Sequence, residues 1–152
     1  MNNETSSTAD RELRLSRILN APLELVWEVF ITPEHLKEWW GPTGFTTTIH
    51  QMEVVENTEW LLTMHGPDGK DYPNRSVFTE IVEHKRIQYR HFHPNFTNTI
   101  DFEQQGDKTL MRWHMLFDTV AEFDAVVKTF KADEGLKQNI EKLVSYLSQK
   151  TT

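Results

Sequence analysis

The stretch Asp133 to Ser148, DEGLKQNIEKLVSYLS, limits the fold of this chain more than any other. Leu136, Ile140, Leu143, Val144 and Leu147 recur at i, i+4, i+7, i+8 and i+11, a spacing that stacks them on one stripe of an α-helix. Lys137, Gln138, Glu141, Lys142 and Ser145 fall mostly on the opposite side. Asp133 suits the N-cap, where its carboxylate would accept from unpaired first-turn N–H groups. An apolar stripe this long needs a surface to lie on, and most of the preceding chain reads as strands. The expectation is one long helix laid across a curved sheet.

Taken from its start, the chain opens with residues 1–10, rich in Asn, Ser and Thr without periodicity, which read as a loose tail. Glu12 to Leu19 alternates as a first strand, charged enough for a sheet edge. Asn20-Ala21-Pro22 opens a short helix, with Pro22 just inside its first turn and an apolar stripe of Val26, Val29 and Phe30 flanked by Trp27. Thr32-Pro33-Glu34 starts a second helix, capped by Thr32, that runs to about Trp39 and is stopped by Gly41-Pro42. Six strand-like runs follow: Phe45 to Val55, Thr58 to His65, Tyr72 to His84, Arg86 to His93, Thr97 to Gln104 and Thr109 to Phe117. The links between them, such as Gly66-Pro67-Asp68-Gly69, are turn chemistry, so the strands form antiparallel hairpins in a meander. Thr119 and Glu122 have capping-box spacing ahead of a short helix bearing Phe123, Val126, Val127 and Phe130.

The result is an α+β domain over residues 11–150: about seven antiparallel strands curved around a long C-terminal helix, with two short helices between strands 1 and 2. A single helix seldom fills such a concavity, so a pocket between helix and sheet is the expected by-product. With 152 residues, one domain is the expectation. A net charge of −7 without a basic cluster lacks the footprint for phosphate backbones or anionic membranes, so no nucleic acid is expected as partner. No cysteine is present, which excludes disulfides, thiolate metal sites and cysteine nucleophiles. The polar N-terminus and lack of any membrane-span run point to the cytoplasm.

Strand alternation names the pocket wall. On one parity stand Trp60, Leu62 and Met64, then Ile87, Tyr89, His91 and His93, then Met111, Trp113, Met115 and Phe117. Glu59, Thr63, Gln88, Arg90, Arg112 and His114 alternate with them. Phe45, Phe130, Leu136 and Ile140 join the candidates, with Trp39 and Trp40 at the end of the second helix. The wall serves equally as a plain core or as a pocket for a flat, oily ligand. The tryptophan pair fits either a lid over that ligand or a wedge joining the helices to the sheet. His91 and His93, two apart in a strand, would face one side, where they could act as acid–base groups or simply bond backbone and water. No third metal ligand stands at motif spacing, and neither metal nor cofactor is implied. Glu80, Asp101 and Glu103 read as a solvated outer face.

One run of motifs resembles a known family. His35-Leu36-Lys37-Glu38-Trp39-Trp40-Gly41-Pro42, after Ala21-Pro22 and Val26-Trp27, is similar to the opening signature of the AHSA-type branch of the SRPBCC/START superfamily. Met64-His65-Gly66-Pro67-Asp68-Gly69 leading to Tyr72-Pro73, then Phe78-Thr79-Glu80-Ile81, and Gly135-Leu136 leading to Leu143-Val144-Ser145-Tyr146-Leu147 match in order and spacing. The resemblance implies a helix-grip fold with a hydrophobic cavity. It implies three kinds of activity: binding of an aromatic or lipid-like molecule, a cyclase- or hydrolase-like reaction using cavity histidines, or a co-chaperone-like interaction with a stress-response ATPase. Pairing of edge strands would allow a homodimer. Two positions depart from the family pattern. Asn57-Thr58-Glu59 replaces a glycine pair before Trp60, and Leu136 stands where a tryptophan often follows the glycine of the last helix. Both touch the cavity wall, so ligand identity does not carry over.

Overall fold

A computed structural model describes residues 8–129 and 131–151 of the chain. Ala9–Arg11 form a 3-10 turn leading into β1 (Glu12–Leu19). Helices α1 (Leu23–Ile31) and α2 (Pro33–Trp39) precede the meander β2 (Thr46–Gln51), β3 (Glu59–His65), β4 (Asp71–Val82), β5 (Arg86–Phe92), β6 (Phe96–Gln105) and β7 (Lys108–Phe117). The chain then passes through α3 (Val120–Asp124) and a π-helical turn at Ala125–Thr129 into α4 (Ala132–Lys150).

All strand pairs are antiparallel, in the order β1-β7-β6-β5-β4-β3-β2, so β1 and β2 are the two edges and α1 and α2 carry the chain from one to the other. Register shifts between Ile49 and Gln51 and between Phe78 and Glu80 bend β2 and β4. The concave face carries the inward parity expected: Trp60, Leu62, Ile87, Tyr89, His91, Met111, Trp113 and Phe117 are buried. Leu136, Ile140, Leu143 and Leu147 of α4 close the same core from above, with α1 and α2 contributing Val26, Trp27, Val29, Phe30, Leu36 and Trp39. The outer face is a polar ladder. Thr79 donates to Gln88 (3.0 Å), Gln88 to Thr99 (3.0 Å), and Arg86 pairs with Asp101 (2.7 Å) and Glu80 (3.2 Å). Half-exposed pairs of this kind contribute little stability each. They place Glu80 and Asp101 in the polar outer face, as ion-pair partners of Arg86.

Four local expectations shift. Pro22 is the N-cap of α1 rather than a residue of its first turn, because its ψ of 153° is extended. The cap of α4 is Lys131, in the left-handed region at φ 53°; Asp133 sits inside the first turn, where its charge still favours the helix N-terminus. At the capping box, Thr119 Oγ1 accepts from the Glu122 N–H (3.0 Å), but the Glu122 carboxylate accepts from the Thr119 hydroxyl and from Asn95 rather than from the Thr119 backbone. The β2 strand stops at Gln51 instead of Val55, since the chain turns there: Val55 N–H donates to Glu53 O (2.8 Å) and Thr58 Oγ1 to the same carbonyl (2.7 Å). Asn57, first of the three residues in place of the glycine pair, adopts φ 70°, a conformation asparagine tolerates better than most side chains.

Candidate functional site

Helix α2 ends by separating two adjacent tryptophans. Trp39 is its last helical residue and is fully buried, its indole donating to Val29 O (3.1 Å) and its ring meeting Phe30 edge-on at 4.8 Å. Trp40 leaves the helix in an extended conformation (φ −72°, ψ 135°), and its ring reaches Trp60 (5.1 Å) and Trp113 (5.9 Å). Gly41 then takes φ +103°, where a Cβ would lie 3.3 Å from Phe45 Cβ, so both backbone and space call for glycine here. The loop beyond is pinned to α4: Lys142 Nζ donates to Pro42 O (3.3 Å) and Phe45 O (3.2 Å), and the Thr43 N–H to Gln138 Oε1 (3.1 Å). Burial pushes the Lys142 ammonium pKa below its ordinary value.

Between this loop, the start of α4 and the concave sheet lies a cleft of about 250 Å³. Its wall is mostly rings and thioethers: Trp40, Trp113, Tyr89, Phe96, Met64 and Met115, closed by Leu136 and Gly135 of α4. A smaller extension of about 20 Å³ continues inward past Trp40, Asn74, Tyr89 and His91 to Trp60, Leu62 and Ser76. The two share four wall residues, so they form one space with a narrow inner end.

His91 is the imidazole of a wall that also carries the side chains of Asn74, Tyr89 and Asn139. It is 9% exposed and stacks on Phe96 with centroids 4.6 Å apart. Nδ1 lies 2.8 Å from Pro94 O and Nε2 lies 2.7 Å from Asn74 Oδ1, while Asn74 Nδ2 donates to Tyr72 O (2.9 Å). Burial pushes its pKa below the ordinary histidine value, aided by the neighbouring charges of His93 and Arg90 and opposed by the Pro94 carbonyl. The neutral ring donates through Nδ1–H to Pro94, and its bare Nε2 then needs the N–H₂ of Asn74, which a half-turn of the amide supplies. The charged ring donates to both oxygens and leaves Asn74 bonded to Tyr72. Burial favours the neutral ring, while turning the amide gives up its bond to Tyr72 O, so the proton on His91 is coupled to the orientation of Asn74. Deeper in the sheet, Asn98 Nδ2 donates to Tyr89 OH (3.0 Å), and burial keeps the phenol neutral by pushing its pKa above the usual range.

The structure brings nine of the sequence candidates to this space: Trp40, Met64, Tyr89, His91, Trp113, Met115 and Leu136 around the cleft, and Trp60 and Leu62 at its inner end. Trp39, Met111, Phe117 and Ile140 are instead core, each 0–1% exposed. Phe45 packs against Tyr72 (5.8 Å) outside the wall. His93 is a correction: β5 ends at Phe92, His93 turns to φ +55°, and the alternation that would have aimed it beside His91 is broken. It is exposed and borders a different groove with His50, Thr63 and Phe92. The two imidazoles therefore do not converge. Phe130 lies outside the described residues. Missed altogether were Asn74, Ser76, Asn98 and Asn139, whose polar side chains face inward from strand or helix positions that parity alone would assign to the core; the inward parity itself was the available signal. Among the described residues, no group of three or more His, Asp or Glu is placed to hold a metal ion, and no helix is long and apolar enough to cross a membrane.

A curved antiparallel sheet gripping a terminal helix, with an apolar cleft between them, defines a helix-grip domain of the ligand-binding type. The family model described as Activator of Hsp90 ATPase homolog 1-like protein matches residues 20–148, and the chain belongs to that family, the AHSA-type branch of the SRPBCC superfamily. Solved structures of similar fold include a protein from Nitrosomonas europaea (24% identity, TM-score 0.86, covering 94% of this chain and 97% of that one). Another is a protein from Arthrobacter aurescens (19% identity, TM-score 0.87, 95% and 90% covered). A third is the AHSA1 protein from Silicibacter pomeroyi (17% identity, TM-score 0.74, 91% and 99% covered). Comparison with curated protein sequences gives no significant match.

Proposed function

We propose that this protein binds a small hydrophobic molecule in the cleft between α4 and the sheet. The observation that carries the reading is the ring-and-thioether wall around a space of about 250 Å³, with few polar groups converging on it. Aromatic faces bury large areas at little cost in side-chain entropy, and Met64 and Met115 can adapt to the shape of a guest. A reaction catalysed by paired histidines has no support in the geometry, since His93 lies outside the cleft and both nitrogens of His91 are engaged by the protein. The family description also motivates a chaperone-partner reading, which a pull-down with and without ATP addresses.

Titration with the neutral fluorophore N-phenylnaphthylamine tests the binding reading. Saturable fluorescence, displaced by non-fluorescent ring compounds and weakened by Trp40→Ala, is the expected result. A linear, non-displaceable signal would remove the proposal.

A further inference from the structure

Three buried polar atoms around the cleft have no protein partner among the described residues: the indole nitrogens of Trp60 and Trp113, and Oδ1 of Asn98. These residues are 4%, 3% and 0% exposed. A buried donor left unpaired costs about 1–3 kcal/mol, and buried tryptophan N–H groups usually find an acceptor. Trp39 of this same chain does so, bonding Val29 O at 3.1 Å. Both unpaired indoles belong to wall residues, alongside Trp40: Trp113 lines the cleft and Trp60 its inner end. Tyr89, between them, accepts from Asn98 and keeps its own hydroxyl proton available. Asn98 sits in register between Tyr89 and Met115, two residues of the wall. The space thus has an unpaired neutral donor at each end, Trp60 at the inner end and Trp113 in the outer cleft.

Size and charge narrow the occupant further. The cleft lies just below the range of about 300–1,000 Å³ typical of drug-sized sites. Its inner extension of about 20 Å³ has room for one oxygen-sized group. No Lys, Arg, Asp or Glu lines either part. A carboxylate or ammonium placed there would lose its hydration without gaining a counter-charge.

We infer that the ligand class is a compact, uncharged ring compound bearing a hydrogen-bond-accepting oxygen, which the indole N–H of Trp60 takes at the inner end, with the indole N–H of Trp113 in the outer cleft as a second donor to the same compound. This deepens the binding reading above and rests on it. It separates ring compounds from fatty acids and other long-chain lipids, which the same apolar wall would otherwise suit.

Calorimetric titration of the whole chain with coumarin, naphthalene, naphthoate and palmitate tests the inference, alongside ¹H–¹⁵N spectra of the five indole groups. Coumarin should bind about tenfold more tightly than naphthalene, equivalent to about 1.4 kcal/mol, and more tightly than either anion. The indole signals of Trp60 and Trp113 should move on adding coumarin while that of Trp39 stays. Trp113→Phe, which keeps a ring and removes the donor, should shrink the coumarin preference; the indole shifts of the unaltered protein carry the test if that variant fails to fold. Equal affinity for naphthalene and coumarin with unmoved indoles, as buried water on those donors would produce, overturns the inference and leaves the binding reading intact. Tightest binding of palmitate overturns it as well. No binding by any of the four, nor by N-phenylnaphthylamine, defeats the binding reading itself.

Discussion

Asn139 of α4 donates a 2.8 Å hydrogen bond from Nδ2 to the backbone carbonyl of Trp39, the last residue of α2. The donor is 7% exposed and the acceptor residue is fully buried. This bond ties the long helix to the point where the chain divides its two tryptophans between core and cleft. It also satisfies a carbonyl that α2, ending there, leaves without a helical partner.

Asn139→Ala leaves that carbonyl buried and unpaired. The expected cost is about 1–3 kcal/mol, read as a lower urea midpoint at unchanged slope. An unaltered midpoint would show that water replaces the amide freely and that the bond does not anchor the rim.

Trp39 and Trp40 should separate in their effects. Trp39→Ala removes a fully buried ring and an indole bond and should cost about 3–5 kcal/mol. Trp40 is only half-buried and faces the cleft, so Trp40→Ala should cost less stability while weakening N-phenylnaphthylamine binding. Thermal unfolding and the fluorescence titration, run on both variants, check the division. Equal losses in both assays for both variants would mean that neither residue is dedicated to the wall.

His91 should titrate below the ordinary histidine value of about 6.5, as followed by NMR of its ring protons. The unfolded chain takes up this proton first. The contribution of a neutral His91 to stability is therefore complete above about pH 6.5 and is lost as pH falls through the lowered folded value. Asn74→Asp places a carboxylate opposite Nε2 and should raise the midpoint. A midpoint unmoved by that change would show that Asn74 does not govern the proton.

Glu12 contributes in a lower window. Hydrogen bonds from Thr8 first, then from Arg14, with a smaller one from His114, hold its carboxyl near a pKa of about 2 against an ordinary 4.5. Because the folded value is the lower one, the stabilisation is present above about pH 4.5 and drains as pH falls toward 2. Glu12→Gln should flatten acid unfolding between those limits, measured by circular dichroism, and leave stability at pH 7 reduced. An identical acid limb in the variant would place the acid-sensitive group elsewhere.

The C-terminal helix, the meander, the two connecting helices and the inward parity of the strands were all legible in the amino-acid order. Each rests on a local period: Leu136 to Leu147 on the turn of a helix, Trp60 to Met64 and Met111 to Phe117 on the pleat of a strand. Periodicity reports which way a side chain points and nothing about what stands opposite. Tertiary packing alone decided that Trp39 is core while Trp40 faces the cleft, and that Met111 and Phe117 are covered while Met115 lines open space. It also decided that His93, one alternation beyond His91, turns away on a left-handed backbone. The same holds for Asn139, Asn98 and Asn74, whose partners all lie on other elements, the partner of Asn139 being 100 residues away. A cleft is the space that several distant elements fail to fill, so its walls follow from how those elements pack and not from the local order of residues within any one of them.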